Sequence, residues 1–199
     1  MKTILVYGDS NTWGQTDASD RYAREVRWVT LLTNKLGADY EVVPAGLSGR
    51  VAGASRLVPP QKRGRAAFEV VYTQAFPTDL VIVALGTNDL KPKYALSSDQ
   101  VTEDLFWYAE TLAKTTDYRG QSLRPTILFI APPNFIYSES GFNGDETKRQ
   151  EIIAGLKRSR YKALILQDVD LSTDGVHFSP TGHQQMAEAV YNKLKEMGI

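Results

Sequence analysis

The sequence predicts an α/β chain, and three observations carry that expectation. Five short apolar runs, at residues 3–7, 40–43, 80–84, 126–130 and 164–167, are rich in β-branched side chains and too continuous to leave one face in water. Between them, residues 24–36, 61–74, 97–114 and 145–161 carry apolar side chains at helical spacing, and a last such segment spans about 180–197. The two kinds of segment alternate along the whole chain, which puts the strands in one parallel sheet with right-handed crossover helices on both faces. The expected architecture is therefore a three-layer α/β/α sandwich, flavodoxin-like, on a five-stranded parallel sheet.

Taken in order, the elements carry their own boundary signals. The first strand stops at Gly8-Asp9. Ser97 is placed to cap the third helix. Ser179 followed by Pro180 is the N-cap-then-proline arrangement, and Gly198 stands just past the final helix. Residues 37–65 and 132–144 are rich in turn-forming residues and read as loops able to shape a site.

At 199 residues and 42% hydrophobic content, the chain is expected to form a single domain over 1–199. Twenty-three basic residues balance 23 acidic ones, so no field favours nucleic acid or an anionic membrane as a partner. There is no cysteine, which removes disulfides, thiolate catalysis and cysteine-ligated metals together. The opening apolar run Ile4-Leu5-Val6-Tyr7 is far shorter than a signal peptide's apolar region or a membrane span, so the expectation is a soluble, cytoplasmic protein. Only two histidines, His177 and His183, are present, so imidazole chemistry has few places to reside.

Ligands of an open parallel sheet bind at the carboxyl ends of its strands. The residues there are Gly8-Asp9-Ser10-Asn11-Thr12-Trp13-Gly14 after the first strand, Ala45-Gly46-Leu47-Ser48-Gly49 after the second, Gly86-Thr87-Asn88-Asp89 after the third, and Asp174-Gly175-Val176-His177 after the fifth. A serine hydroxyl is a poor nucleophile until a base takes its proton, and an imidazole serves only when a third group fixes its tautomer. Ser10, His177 and Asp174 supply those three parts, the two-residue spacing letting the carboxylate reach Nδ1 while Nε2 faces Ser10. For the oxyanion of acyl transfer, the Ser10 N–H at a helix start, the Gly49 N–H and the Asn88 amide are available donors.

Plainer roles stand beside these. Ser10 taken alone reads as a helix N-cap, and His183 as a structural residue of the last helix. Asp9 and Asp89 read as braces of their turns, Gly46 as a turn glycine, and Arg27-Trp28 as packing or pairing residues. Trp13, Phe135, Ile136 and Val176 are candidates for an acyl or alcohol pocket, with the core as their alternative place. A metal site built from Asp170, Asp174, His177 and His183 is the competing chemistry, but it leaves Ser10, Gly49 and Asn88 without use. Gly-x-x-x-x-Gly-Lys-[Ser/Thr], Gly-x-Gly-x-x-Gly after a strand, and Gly-x-Ser-x-Gly are all absent from the sequence.

The four blocks Gly8-Asp9-Ser10, Gly49, Gly86-Thr87-Asn88-Asp89 and Asp174-Gly175-Val176-His177 resemble, in order and spacing, the signature blocks of the SGNH (GDSL-like) hydrolases. The stretches Val26-Arg27-Trp28, residues 36–42 and Gly46-Leu47-Ser48-Gly49-Arg50 look like the bacterial arylesterase and acyltransferase branch. The resemblance implies a serine esterase without cofactor or metal. It implies a Ser10, Asp174, His177 triad, oxyanion donors at Ser10, Gly49 and Asn88, and a small ester as substrate. Short acyl esters of aryl or alkyl alcohols are the implied class, with acyl transfer as a second outcome; a carbohydrate O-acetylesterase and a non-catalytic binding protein on the same fold are the alternatives. Relatives of this kind often self-associate, so a homo-oligomer is an expectation of the resemblance. Two departures stand out: Pro44 occupies a place where many relatives have Asn, and the stretch after Arg50 is shorter than that branch's loop.

Overall fold

Chain segments that expose neither face to water form the middle of the molecule. In the computed structural model, which describes residues 1–115, 124–139 and 141–199, the strands are β1 (Lys2–Gly8), β2 (Tyr40–Gly46), β3 (Leu80–Ala84), β4 (Thr126–Ile130) and β5 (Lys162–Leu164). All pairings are parallel and the order is β2-β1-β3-β4-β5, the doubly wound, flavodoxin-like order expected of the alternation. The helices are α1 (Ser10–Trp13), α2 (Trp28–Leu36), α3 (Gly64–Gln74), α4 (Ser98–Lys114), α5 (Glu146–Arg158) and α6 (Pro180–Glu196). Residue 140, within the second loop stretch, lies outside the described residues, as do 116–123.

Side-chain alternation along each strand divides the core into two layers. Ile4, Val6, Leu80, Ile82, Leu128 and Ile130 face α2 and α6, where they meet Trp28, Leu32, Met186, Val190 and Leu194. Leu5, Tyr7, Val81, Val83 and Phe129 face α3, α4 and α5, against Phe68, Leu105, Tyr108, Ile152 and Leu156. Each such side chain, taken fully from water, contributes about 1.5–3 kcal/mol. Tyr7 sits edge-on to Phe68 at 5.2 Å, and Phe68 edge-on to Tyr108 at 4.9 Å, while both tyrosine hydroxyls donate to backbone carbonyls, Tyr7 to Gly64 at the start of α3 (2.7 Å) and Tyr108 to Ala52 in the loop before it (2.6 Å). The core thus reaches up to hold the loops around the strand ends. Among the described residues, no helix is long and apolar enough to cross a membrane.

Several boundaries fall away from their expected places, each for a local reason. β5 is Lys162–Leu164 rather than 164–167, because its partner β4 runs into Pro132-Pro133, which have no N–H to continue the ladder. The last rung is Ala131 N–H to Leu164 O (2.9 Å); beyond it the Asn134 side chain takes over, bonding both the N–H (2.8 Å) and the carbonyl (3.0 Å) of Val169. The segment expected as one helix from 24 is a single turn at Arg24–Val26, an extended Arg27, and then α2. Arg27 is held out of the helix by its Nε bond to Tyr22 O (2.8 Å), and the Trp28 N–H is taken by His183 Nδ1 (3.3 Å). The segment expected from 61 divides likewise, since Val51 bridges to Arg63 and the Gly64 N–H donates to Val51 O. β2 extends through Pro44 to Gly46, which an edge strand permits. The caps at Ser97, with its Gln100 capping box, and at Ser179 stand as expected, and Asp145 caps α5 rather than beginning it.

His183 is fully buried between the rings of Tyr22 and Phe178 (5.3 and 5.6 Å). Burial, with the positive charge of Arg27 and the proximity of His177, lowers its pKa from 6.5 to about 4. The unfolded chain therefore binds more protons between these values, so the stability from neutral His183 is fully present above 6.5 and is lost as pH falls toward 4. Between pH 7 and pH 4.5 the wild type should lose on the order of 2–3 kcal/mol more than His183→Gln. Chemical denaturation of both proteins at the two pH values checks this; equal losses would contradict it.

Candidate active site

The order β2-β1-β3 makes β1 the strand at which the winding reverses, and its carboxyl end is the crevice where a ligand fits. Asp9, at that end, caps the four-residue helix α1 by accepting the Asn11 N–H (3.0 Å). Asp9 is thus the N-cap, and Ser10 is the first helical residue, one place further on than the plain sequence reading had it. As first residue its N–H has no intrahelical acceptor.

Asn11 supplies the next link. Its Nδ2 donates to Val176 O (3.1 Å) and its Oδ1 accepts the Phe178 N–H (2.9 Å), so one amide grips the backbone on both sides of His177, 165 and 167 residues away. With that loop fixed, His177 Nε2 lies 3.0 Å from Ser10 Oγ and His177 Nδ1 lies 2.5 Å from Asp174 Oδ2. The other Asp174 oxygen accepts the N–H groups of Val176 (3.1 Å) and His177 (3.0 Å). Partial burial acts to raise the Asp174 carboxyl, but the hydrogen bonds from His177 and Val176 outweigh it and hold it below the ordinary carboxylate range. The carboxylate stays charged and pointed at Nδ1.

The three candidate oxyanion donors come from different strand ends and are tied together by buried polar bonds. Gly49 has φ of 75°, the left-handed region that glycine adopts without strain. The next residue, Arg50, is 6% exposed and its Nη1 donates to the carbonyls of Gly8 (2.8 Å) and Ala45 (2.5 Å), while its guanidinium lies 4.1 Å from the centre of the Tyr7 ring. Asn88 Nδ2 donates to Arg50 O (3.1 Å) and its Oδ1 accepts from Lys91 Nζ (2.7 Å). Lys91 therefore fixes which way the Asn88 amide faces. Asp89, fully buried, accepts the Ala52 N–H with both oxygens (3.0 Å each), bracing the 49–52 loop rather than its own turn. Burial pushes its carboxyl up to about 7, and burial likewise raises Asp9. Gly46 is not a turn glycine: it ends β2, where an added Cβ would stand 2.2 Å from the Trp13 backbone nitrogen, so its role is close approach to α1. The sequence alone assigns no role to Asn11, Arg50 or Lys91, although the first two fall in the blocks singled out and Lys91 stands two residues past one of them.

The pocket candidates divide. Ile136, 63% exposed, donates its N–H to Gly175 O (2.7 Å) and packs against Gly175, while Val176 is half-buried on the same loop. Phe135 packs edge-on against Phe142 at 5.1 Å, and Trp13 carries Arg21 over its ring at 4.9 Å. None of the four lines the internal cavity behind α1, which has room for about one water (about 20 Å³) and is bounded by Asp9, Asn11, Thr12, Trp28 and Met186 among others. The competing metal set is dispersed: Asp170 accepts from the Ser179 hydroxyl and His183 from the Trp28 N–H. Among the described residues no three histidine or acidic side chains converge as metal ligands would.

The model of the GDSL-like lipase/acylhydrolase family matches residues 6–185. The chain belongs to that family. Among solved structures similar to this acylhydrolase are the M. smegmatis aryl esterase, 27% identical with a TM-score of 0.84 and coverage of 98% of this chain and 99% of that one. A carbohydrate acetylesterase from Sinorhizobium meliloti is 25% identical, TM-score 0.83, covering 99% of this chain and 100% of that one. A lipase/acylhydrolase from Enterococcus faecalis shares the fold at TM-score 0.71 and 20% identity over 99% and 97% of the two chains. No curated protein sequence matches.

Asn11→Ala should leave the Val176 carbonyl and Phe178 N–H unpaired, lowering stability by about 1–3 kcal/mol. The His177 loop would lose its register on Ser10, so ester turnover should drop roughly 10- to 100-fold in kcat, with KM changed less. Steady-state kinetics beside a thermal melt checks it; a destabilised variant with wild-type kcat would show that the clamp does not position the loop.

Proposed function

We propose that this acylhydrolase is a serine carboxylic ester hydrolase working through an acyl-enzyme. The observation that carries the proposal is the unbroken line from Asp174 Oδ2 to His177 Nδ1 (2.5 Å) and from His177 Nε2 to Ser10 Oγ (3.0 Å). Ser10 Oγ attacks the ester carbonyl carbon as its proton passes to His177 Nε2, and the carbonyl π electrons move to oxygen. The N–H groups of Ser10 and Gly49 and the Asn88 amide then meet the oxyanion. Collapse re-forms the carbonyl and breaks the bond to the leaving alkoxide, which takes the Nε2 proton. Water, deprotonated by His177, repeats the sequence on the acyl-Ser10 ester and releases the acid. An alcohol in place of water gives acyl transfer. Asp174 keeps the imidazole in one tautomer throughout.

Short acyl esters of aryl or alkyl alcohols are the proposed substrates, supported by the likeness to the M. smegmatis aryl esterase. A second reading, acetylated sugars, is favoured by the likeness to the S. meliloti carbohydrate acetylesterase. Relative kcat/KM on aryl acetates and acetylated sugars separates the two.

Turnover of p-nitrophenyl acetate should vanish in Ser10→Ala. Asn88→Ala should lower kcat by about 10²–10³ with little change in KM, since the amide acts on charge that develops only in the transition state. Normal turnover by Ser10→Ala would sink the mechanism, and an unchanged kcat in Asn88→Ala would remove that amide from it.

A further inference from the structure

Two lysines flank the proposed oxyanion donors, and the mechanism above uses the charge of neither. Lys62, on the turn before α3, donates from Nζ to Ser48 O, and the same Nζ lies 3.4 Å from where a Cβ on Gly49 would stand. Lys91 donates from Nζ to Asn88 Oδ1 at 2.7 Å. One ammonium therefore sits on the oxygen of each of two amides, the Ser48–Gly49 peptide and the Asn88 side chain, whose N–H groups are the proposed oxyanion donors. Both side chains are half-buried, and among the described residues neither forms an ion pair with a carboxylate.

Resting on the Ser10 acyl-enzyme reading, we propose that Lys62 and Lys91 make the site select esters that carry a second, anionic group a few bonds from the scissile carbonyl. An ammonium has three N–H donors and each lysine spends one on the loop it touches, so each retains donors for a carboxylate or phosphate. Bracing alone does not account for the residue type, since a glutamine amide donates the same bond without charge. The two ammonium groups lie near enough to oppose one another: burial, followed by the charge of Lys93, with that of Lys62 adding, lowers Lys91, while Asp9 and Asp89 partly offset this. The other charged groups around the loops include those two carboxyls and the Arg50 guanidinium, all three buried, the exposed Lys93, and Asp104, which is paired with Arg65 at 2.8 Å. Asp9 and Asp89 are already engaged by the Asn11 and Ala52 N–H groups. Lys91 Nζ also lies 5.6 Å from the centre of the Phe142 ring, so of the two ammonium groups Lys62 is the one engaged only by a carbonyl, and an anionic substituent on the substrate supplies the carboxylate or phosphate partner that neither lysine has among the described residues.

Two ester pairs test the proposal and tell the acyl side from the alcohol side. The acyl arm compares mono-p-nitrophenyl adipate, too long for its carboxylate to close readily on its own ester, with p-nitrophenyl hexanoate; the alcohol arm compares 3-acetoxybenzoate with phenyl acetate. In at least one arm the wild type should favour the anionic ester in kcat/KM at low salt, and 0.5 M salt should shrink that preference. Lys62→Gln, which keeps a donor but not the charge, should reduce the preference roughly three- to tenfold, and Lys62→Arg should restore it. Lys157→Gln, the same charge change on the exposed face of α5, should behave as wild type. No preference in either arm, or one that Lys62→Gln leaves intact, overturns the proposal while turnover still disappears in Ser10→Ala. Hydrolysis of both esters that persists in Ser10→Ala overturns the acyl-enzyme reading and this one with it.

Discussion

Everything at the candidate site depends on one interaction, the grip of the Asn11 side chain on the backbone either side of His177. Ser10 and His177 belong to opposite ends of the chain, and no sheet pairing brings them together, because the 171–178 loop follows the last strand and precedes α6. A primary amide is suited to the task, since it accepts from one peptide and donates to another in a fixed plane. Ser10 and Asn11 are consecutive residues of α1, so the group that positions the imidazole is rigidly joined to the group the imidazole faces. Asp174 completes the device from within the loop, taking the Val176 and His177 N–H groups with one oxygen and the imidazole with the other.

The same economy governs the other strand ends. A parallel sheet presents carbonyl groups at its carboxyl edge, and those buried by the loops need donors. Arg50 serves the ends of both β1 and β2, Asn88 serves the Arg50 carbonyl, and Asp89 serves Ala52. Holding Arg50, Asp89 and Asp9 out of water is costly, as the lowered Arg50 and the raised carboxyls record. What the burial gives in return is geometry: loops from β1, β2 and β3 that are locked to one another rather than to solvent. Donors preorganised in this way need not reorganise as charge forms on a substrate oxygen.

Much of this was legible in the sequence because it is periodic or local. Strand cores such as 80–84 and 126–130 stand where continuous apolar runs put them, and the caps at Ser97 and Ser179 follow from short-range chemistry. Ser10, Asp174 and His177 were legible as residue types suited to one reaction. What escaped was long-range. The break at Arg27 combines a bond to Tyr22 O with the capture of the Trp28 N–H by His183, 155 residues on, and β5 ends early because β4 reaches two prolines. Asn11 and Arg50 have partners 165 and 42 residues away that no spacing rule announces, whereas Lys91 bonds Asn88 three residues back, a contact that many exposed lysines could make and that becomes informative only once Asn88 is placed. Gly46 shows the same limit in reverse: glycine suggested a turn, whereas the Trp13 backbone beside it requires the missing side chain.

The reaction is better specified than the substrate, because the polar groups around Ser10 Oγ are fixed while the apolar candidates Trp13, Phe135, Ile136 and Val176 do not close around one shared cavity. The central claim is that acyl groups pass through Ser10. Intact-protein mass spectrometry with peptide mapping, on samples quenched milliseconds to seconds after mixing with an activated acyl ester, tests it most directly. The predicted result is a single acyl adduct on Ser10 that forms and decays at rates consistent with turnover. An adduct on another residue, or steady hydrolysis by a protein whose Ser10 stays unmodified while a slower, off-path adduct forms elsewhere, would contradict it.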